Sequence, residues 1–229
     1  MATPPSIYAL GTVFGHYKLE KLLGIGGMGS VYAAKHQQLD KGVVVKILHP
    51  EFATNPTLRD RFMQEGRAAS RVRHEHVVDV TDMGVAHGVP FLVMEHLEGE
   101  TLLAMIKREG PLPIERAVDI LLPVIAAVSS LHRRGVIHRD IKPDNIFLSR
   151  LPSGALHPKL LDFGIARILA GASARALTSM DDVLGTPAYM SPEQLKSTRR
   201  AGEGPTQRAL SLVPSSARWA ATACGASQR

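Results

Sequence analysis

Gly24-Ile25-Gly26-Gly27-Met28-Gly29-Ser30-Val31 runs directly into Tyr32-Ala33-Ala34-Lys35-His36-Gln37, and that continuation decides the fold. Glycines at this spacing let backbone N–H groups reach phosphate oxygens without interference from a Cβ. The same G-x-G-x-x-G pattern opens dinucleotide-binding βαβ units, but there it leads into a helix whose N-terminus faces the pyrophosphate. Here the following residues read as a strand, and residues 17–24 before them alternate as a strand too. The glycines therefore join a hairpin. Taken alone, such a loop reads equally well as a glycine-rich turn with no ligand.

Further along, residues 42–48 form a β-branched apolar run that predicts a third strand, buried on both faces. Lys46 lies inside it, and a lysine among buried residues is costly unless paired. Glu65, 19 residues on, is a candidate partner on the predicted helix 57–73, where Leu58, Phe62, Ala69 and Val72 fall at helical spacing. The other reading of Lys46 is an edge-strand lysine that carries its charge out to water. Gly66 weakens that helix by about 1 kcal/mol relative to alanine. Residues 77–85 and 90–97 read as two more strands. Near Glu98–Gly99 the composition shifts, and residues 113–135 form a long predicted helix. Its single apolar stripe is Ile114, Val118, Leu121, Leu122, Ile125, Val128 and Leu131. Pro113 suits the first turn, Pro123 predicts a kink and Gly135 a stop. Short strands are expected at 136–138, 146–149 and 158–162.

Between those short strands lies His138-Arg139-Asp140-Ile141-Lys142-Pro143-Asp144-Asn145, followed by Asp162-Phe163-Gly164. An exposed polar turn would account for the first cluster by itself. The second places a carboxylate at another strand end, and the Asn145 amide oxygen with the Asp162 carboxylate suits a hard cation such as magnesium.

In order along residues 17–195, GIGGMGSV, VVVK, Glu65, FLVMEHLEGETL, HRDIKPDN, DFG and GTPAYMSPEQ resemble the first two-thirds of a bacterial-type (eukaryotic-like) Ser/Thr protein kinase catalytic domain. Asp162 follows Asp140 by 22 residues and Glu193 follows Asp162 by 31, intervals like those of the family. The resemblance implies an α+β, two-lobed fold: a small antiparallel β lobe with one helix, and an incomplete, mainly helical C-lobe. It implies transfer of the γ-phosphate of ATP to serine or threonine hydroxyls of protein substrates, with magnesium. Gly24, Ile25, Gly26, Gly27, Met28 and Gly29 would cover the phosphates, and Lys46, oriented by Glu65, would hold the α- and β-phosphates. Val44 would lie against the adenine ring and Met94 would gate the back of the adenine pocket, Val31 and Phe147 would also bind the nucleotide, and Glu95, His96 and Leu97 would form the hinge. Asp140 would accept the substrate hydroxyl's proton, Lys142 would neutralise the transferred phosphoryl group, and Asn145 and Asp162 would bind magnesium. Thr178 and Ser179 would be activation-segment phosphorylation sites pairing with Arg139, and Thr186 would help organise Asp140 and Lys142.

Three departures from the family pattern stand out, one of them Gly66 in the helix that carries Glu65. Val44 occupies the usual alanine position. After Ser191-Pro192-Glu193-Gln194 there is no D-x-W/Y-S-x-G-like helix, and residues 196–229 are rich in Ala, Ser, Thr and Gly without apolar periodicity. That stretch reads as a truncated or frame-shifted end, with a disordered regulatory tail as the other reading. The implied organisation is a flexible lead-in at 1–15, an N-lobe at 16–98, a partial C-lobe at 99–195 and a basic tail at 196–229. A catalytically inactive, nucleotide-binding or scaffolding fragment is the alternative function.

Composition narrows the partners. Of the net charge of +6, +5 belongs to residues 196–229 (Lys196, Arg199, Arg200, Arg208, Arg218 and Arg229 against Glu203), so the body is nearly neutral. With one aromatic residue among those arginines, nucleic acid is not an expected partner. Cys224 is the only cysteine, which excludes an internal disulfide and a multi-cysteine zinc site. Apolar runs are too short for a bilayer span, and no basic region precedes the first apolar residues, so a cytoplasmic setting is expected.

Overall fold

The computed structural model describes residues 8–161 other than 139 and 152, together with residue 189. The chain divides into two compact units: Met1–Arg73 with Val78–Leu97, and His74–Val77 with Glu98–Arg229.

In the first unit, β1 (Val13–Phe14), β2 (Tyr17–Ile25), β3 (Gly29–His36), β4 (Gly42–Leu48), β5 (Val80–Ala86) and β6 (Val89–Glu95) form one antiparallel sheet ordered β1-β2-β3-β4-β6-β5. The sheet curls until its two ends meet through side chains. Tyr17 Oη donates to Asp82 Oδ2 (2.8 Å), and Phe14 packs edge-on against Phe91 at 5.8 Å. Burial and that hydrogen bond to a carboxylate push the Tyr17 hydroxyl up to about 12. A short helix α1 (Pro50–Ala53) precedes α2 (Pro56–Ser70). Asn55 caps α2, its side chain accepting from Thr57 N (3.0 Å) and Leu58 N (3.3 Å), and Pro56 fills the first turn where its missing N–H is harmless.

Strand β4 corrects one expectation. Val43, Val45 and Ile47 are buried, whereas Val44 and Lys46 are only half-buried. A β-branched run signals a strand but does not say whether both faces have a packing layer.

The second unit holds β7 (Gly99–Thr101), helix α3 (Leu102–Glu109), helix α4 (Ile114–Arg133), and β8 (Ile146–Arg150) paired between β7 and β9 (Leu156–Leu160). Thr101 caps α3 by accepting from Ala104 N (3.1 Å). Helix α4 runs on through Pro123 and ends before Gly135, which takes a left-handed φ of 72°. It packs against β9, and its buried apolar residues are Ala117, Ile120, Val124, Ala127, Val128 and Leu131. Its apolar residues make two rows rather than one stripe. Ile114, Val118, Leu122 and Ile125 lie on the other side, 64%, 45%, 58% and 56% exposed. Residues 136–138 are not a strand; Val136 N donates to Leu131 O (3.0 Å), continuing the helix exit. No helix among the described residues is long and apolar enough to cross a membrane.

Candidate active site

The glycine turn is built from the base upward. Gly26 N donates to Gly29 O (2.9 Å), so that N–H serves the turn itself and not a phosphate. Added Cβ atoms at Gly24 and Gly27 would meet nothing within 4 Å, which suits a backbone that a ligand approaches. Gly29 differs. A Cβ there would come closer to the Ile47 carbonyl oxygen than the 3.0 Å that real side chains keep, so this glycine is required by strand β4.

His49 fastens the turn from below. Its N–H donates to Met28 O (2.9 Å), and its Nε2 lies 3.2 Å from Ser30 Oγ, both side chains being buried. Burial lowers the His49 pKa from 6.5, with Glu51 (3.7 Å from Nδ1) pulling the other way. The folded state thus binds this proton later than the unfolded chain does. Its contribution to stability is complete above pH 6.5 and is lost as pH falls through the folded pKa. Thermal melts between pH 5 and 8 should therefore show a decline below about 6.5 that His49→Gln flattens; parallel curves for the two proteins would remove His49 as its source.

Register aligns the nucleotide-side candidates. Gly24 pairs with Val31, Val31 with Lys46, and Val44 with Met94. Antiparallel partners share a face and alternate residues return to it, so Gly24, Val31, Val44, Lys46 and Met94 occupy one side of the sheet. Ile25 pairs with Ser30 on the opposite side. Helix α2 lies over this same row: Gly66 sits against Leu92, the register partner of Lys46, and against Met83. A side chain at 66 would collide with both. The glycine that costs helix propensity is what lets α2 settle on the sheet. Glu65 is carried by α2 next to Gly66; its side chain lies outside the described residues. Glu95 closes β6, its N–H donating to Asp79 O (3.0 Å) and its Oε1 accepting from Asp79 N (2.8 Å); the half-buried Leu97 follows.

In the second unit, Asp140, Lys142 and Asn145 come together around a single 3₁₀ turn, Pro143–Asn145. Asn145 Nδ2 donates to Asp140 O (2.7 Å) and Asp140 Oδ2 (2.9 Å), and Lys142 Nζ lies 3.2 Å from the same Oδ2. One carboxylate oxygen is thereby held by two donors, and its geometry is set. The buried His138 braces the segment. Its Nε2 donates to Leu161 O (2.7 Å), which leaves Nδ1 to accept from Asp140 N (3.4 Å). Leu161 N in turn donates to Asn145 O (2.8 Å).

Because both contacts of the Asn145 nitrogen are to acceptors, the amide is oriented, and Oδ1 is the atom left to meet a hard cation. That donor fits magnesium. Tyr189 lies close enough to Asp144 for that carboxylate, after burial, to raise its hydroxyl pKa. Phe147 sits on β8 opposite Thr101 and Lys159. Asp162, Thr178, Ser179, Thr186 and Arg139 lie outside the described residues. Sequence reasoning missed the Ser30–His49 contact, for which no motif exists.

The protein kinase domain family matches residues 17–205. Serine/threonine-protein kinase pkn3 of Myxococcus xanthus is 41% identical over 202 residues, covering 87% of this chain and 37% of the relative. PknH of Mycobacterium tuberculosis is 40% identical over 185 residues, covering 81% and 28%. Among solved structures, the apo form of PpkA-294 superposes with a TM-score of 0.68 at 25% identity, covering 82% of this chain and 71% of that one. The Mycobacterium tuberculosis PknI kinase domain gives 0.60 at 32% identity, covering 69% and 64%. The chain spans only 37% and 28% of the two curated relatives. A family match over most of the chain, a glycine hairpin on an antiparallel sheet and an Asp-x-Lys-x-x-Asn turn in the second unit make this chain a member of the protein kinase family, similar to bacterial serine/threonine kinases.

Proposed function

We infer that this chain transfers the γ-phosphate of ATP to serine or threonine hydroxyls of protein substrates. The observation that carries the reading is the Asp140 carboxylate. Its Oδ2 is fixed by Asn145 and Lys142, which leaves Oδ1 to accept the substrate hydroxyl's proton and aim its oxygen. Lys142 supplies positive charge that neutralises the transferred phosphoryl group. Asn145 Oδ1 and Asp162 hold magnesium, which when bound offsets phosphate charge. Lys46, oriented by Glu65, takes the α- and β-phosphates under the turn Gly24–Gly29. Val31, Val44, Met94, Leu97 and Phe147 pack on adenine, with Glu95 at the hinge. Thr178 and Ser179 are the sites whose phosphorylation orders the activation segment, and Thr186 supports Asp140.

The test is magnesium-dependent transfer of labelled phosphate from ATP to a library of Ser- and Thr-containing peptides by the full chain. Incorporation that disappears with EDTA supports the reading. Its absence alongside measurable ATP binding supports the second reading, a nucleotide-binding module without turnover. One observation favours that second reading: the row Ile114, Val118, Leu122 and Ile125 is exposed apolar surface of the kind that marks contact with another protein.

A further inference from the structure

Far in sequence from the Asp140 turn, the short segment leading from α2 to β5 lies along strand β9. Val77 bridges Leu160 in parallel, and Leu160 N donates to His76 O (2.9 Å). This backbone seam brings Glu75 and His76 beside His157. His76 Nδ1 is 2.8 Å from the Pro158 carbonyl oxygen, and His157 Nε2 is 3.0 Å from the Glu75 carbonyl oxygen. A carbonyl only accepts, so each of those nitrogens carries its hydrogen. In the neutral rings one in-plane lone pair remains on each, at His76 Nε2 and His157 Nδ1.

The two rings lie 4.5 Å apart between centroids, and Glu75 Oε1 is 4.0 Å from His76 Nε2. One ligand atom from each of the three residues falls within 4.8 Å of the others. Imidazoles that bind metals commonly donate their remote N–H to a backbone carbonyl, which fixes tautomer and ring direction. Both rings here already do so. Zinc–nitrogen bonds of about 2.0–2.1 Å place two ligand nitrogens roughly 3.3 Å apart. The three groups must therefore draw in by up to about 1.5 Å, a movement within reach of the exposed, unbranched Glu75 side chain and a turn of either ring.

We propose that Glu75, His76 and His157 form a binding site for a divalent transition metal, with zinc the best-matched ion, that clamps the segment between α2 and β5 to β9. Two nitrogens and one carboxylate, with a water as fourth ligand, make a tetrahedral N/O site. It differs in chemistry from the all-oxygen environment expected around Asn145 and stands independently of the phosphotransfer reading.

The test uses the full chain, stripped with chelator and dialysed. Titration with zinc chloride by calorimetry should give one site per chain. Cobalt chloride should produce the visible absorption of a four-coordinate ion. His157→Gln and, separately, Glu75→Gln should each weaken zinc by at least about tenfold with unchanged circular dichroism. Glu75 is exposed, so its variant reports even if the His157 variant fails to fold. No stoichiometric zinc binding, or a site whose affinity ignores Glu75→Gln and any folded His157→Gln, overturns the proposal.

Discussion

Asp140→Asn should slow phosphate transfer by about 10²–10⁴-fold while ATP affinity stays within about threefold. The asparagine keeps an oxygen that can still accept from Asn145 Nδ2 and Lys142 Nζ, so the turn around Pro143–Asn145 survives. What disappears is the basic oxygen that, in the proposed reaction, takes the hydroxyl's proton. The lost attraction to Lys142 is partly screened, since both side chains are about a fifth to a quarter exposed, and should cost less than about 1 kcal/mol of stability. Single-turnover transfer and nucleotide calorimetry on the same preparation separate the two effects. Transfer within tenfold of the parent protein would sink the assignment of Asp140 as the base.

Gly29→Ala should destabilise the first unit by about 2–3 kcal/mol, whereas Gly24→Ala should change stability by no more than about 0.5 kcal/mol. The two glycines belong to one motif but answer to different demands. At Gly29 the new methyl meets the Ile47 carbonyl and the Leu48 backbone, which cannot swing aside as a side chain can. Strands β3 and β4 would have to part where Gly29 pairs with Leu48. Nothing lies within 4 Å of the corresponding atom at Gly24. Urea unfolding of the two variants measures the contrast, and equal midpoints would show that β3 and β4 do not constrain Gly29.

The strands of the first unit are legible because alternation and β-branched runs survive in residues 17–48, and α2 and α4 because their apolar residues repeat at helical spacing. Helix α1, of four residues, and α3, of eight, are too short to show a period; α3 announces itself only through its Thr101 cap and the Gly110 stop. The double face of α4 is hidden for a related reason. Ile120 and Leu122 are both apolar in the sequence, and only packing reveals that one is 3% and the other 58% exposed. The grouping of Asp140, Lys142 and Asn145 is readable because it spans six residues and one turn. Ser30 and His49 are separated by 19 residues and joined only by strand geometry, and the Glu75–His76–His157 cluster by more than 80. Such meetings leave no local pattern.

The assignment of His74–Val77 to the second unit means that the chain passes from one unit to the other three times. Neither unit can be excised as an uninterrupted stretch of polypeptide. A protease nicking the backbone after Leu97 would leave an N-terminal fragment that still carries Val77 and His76, and with them the hydrogen bond to Leu160. Gel filtration of a nicked sample would therefore show one species where denaturing electrophoresis shows two.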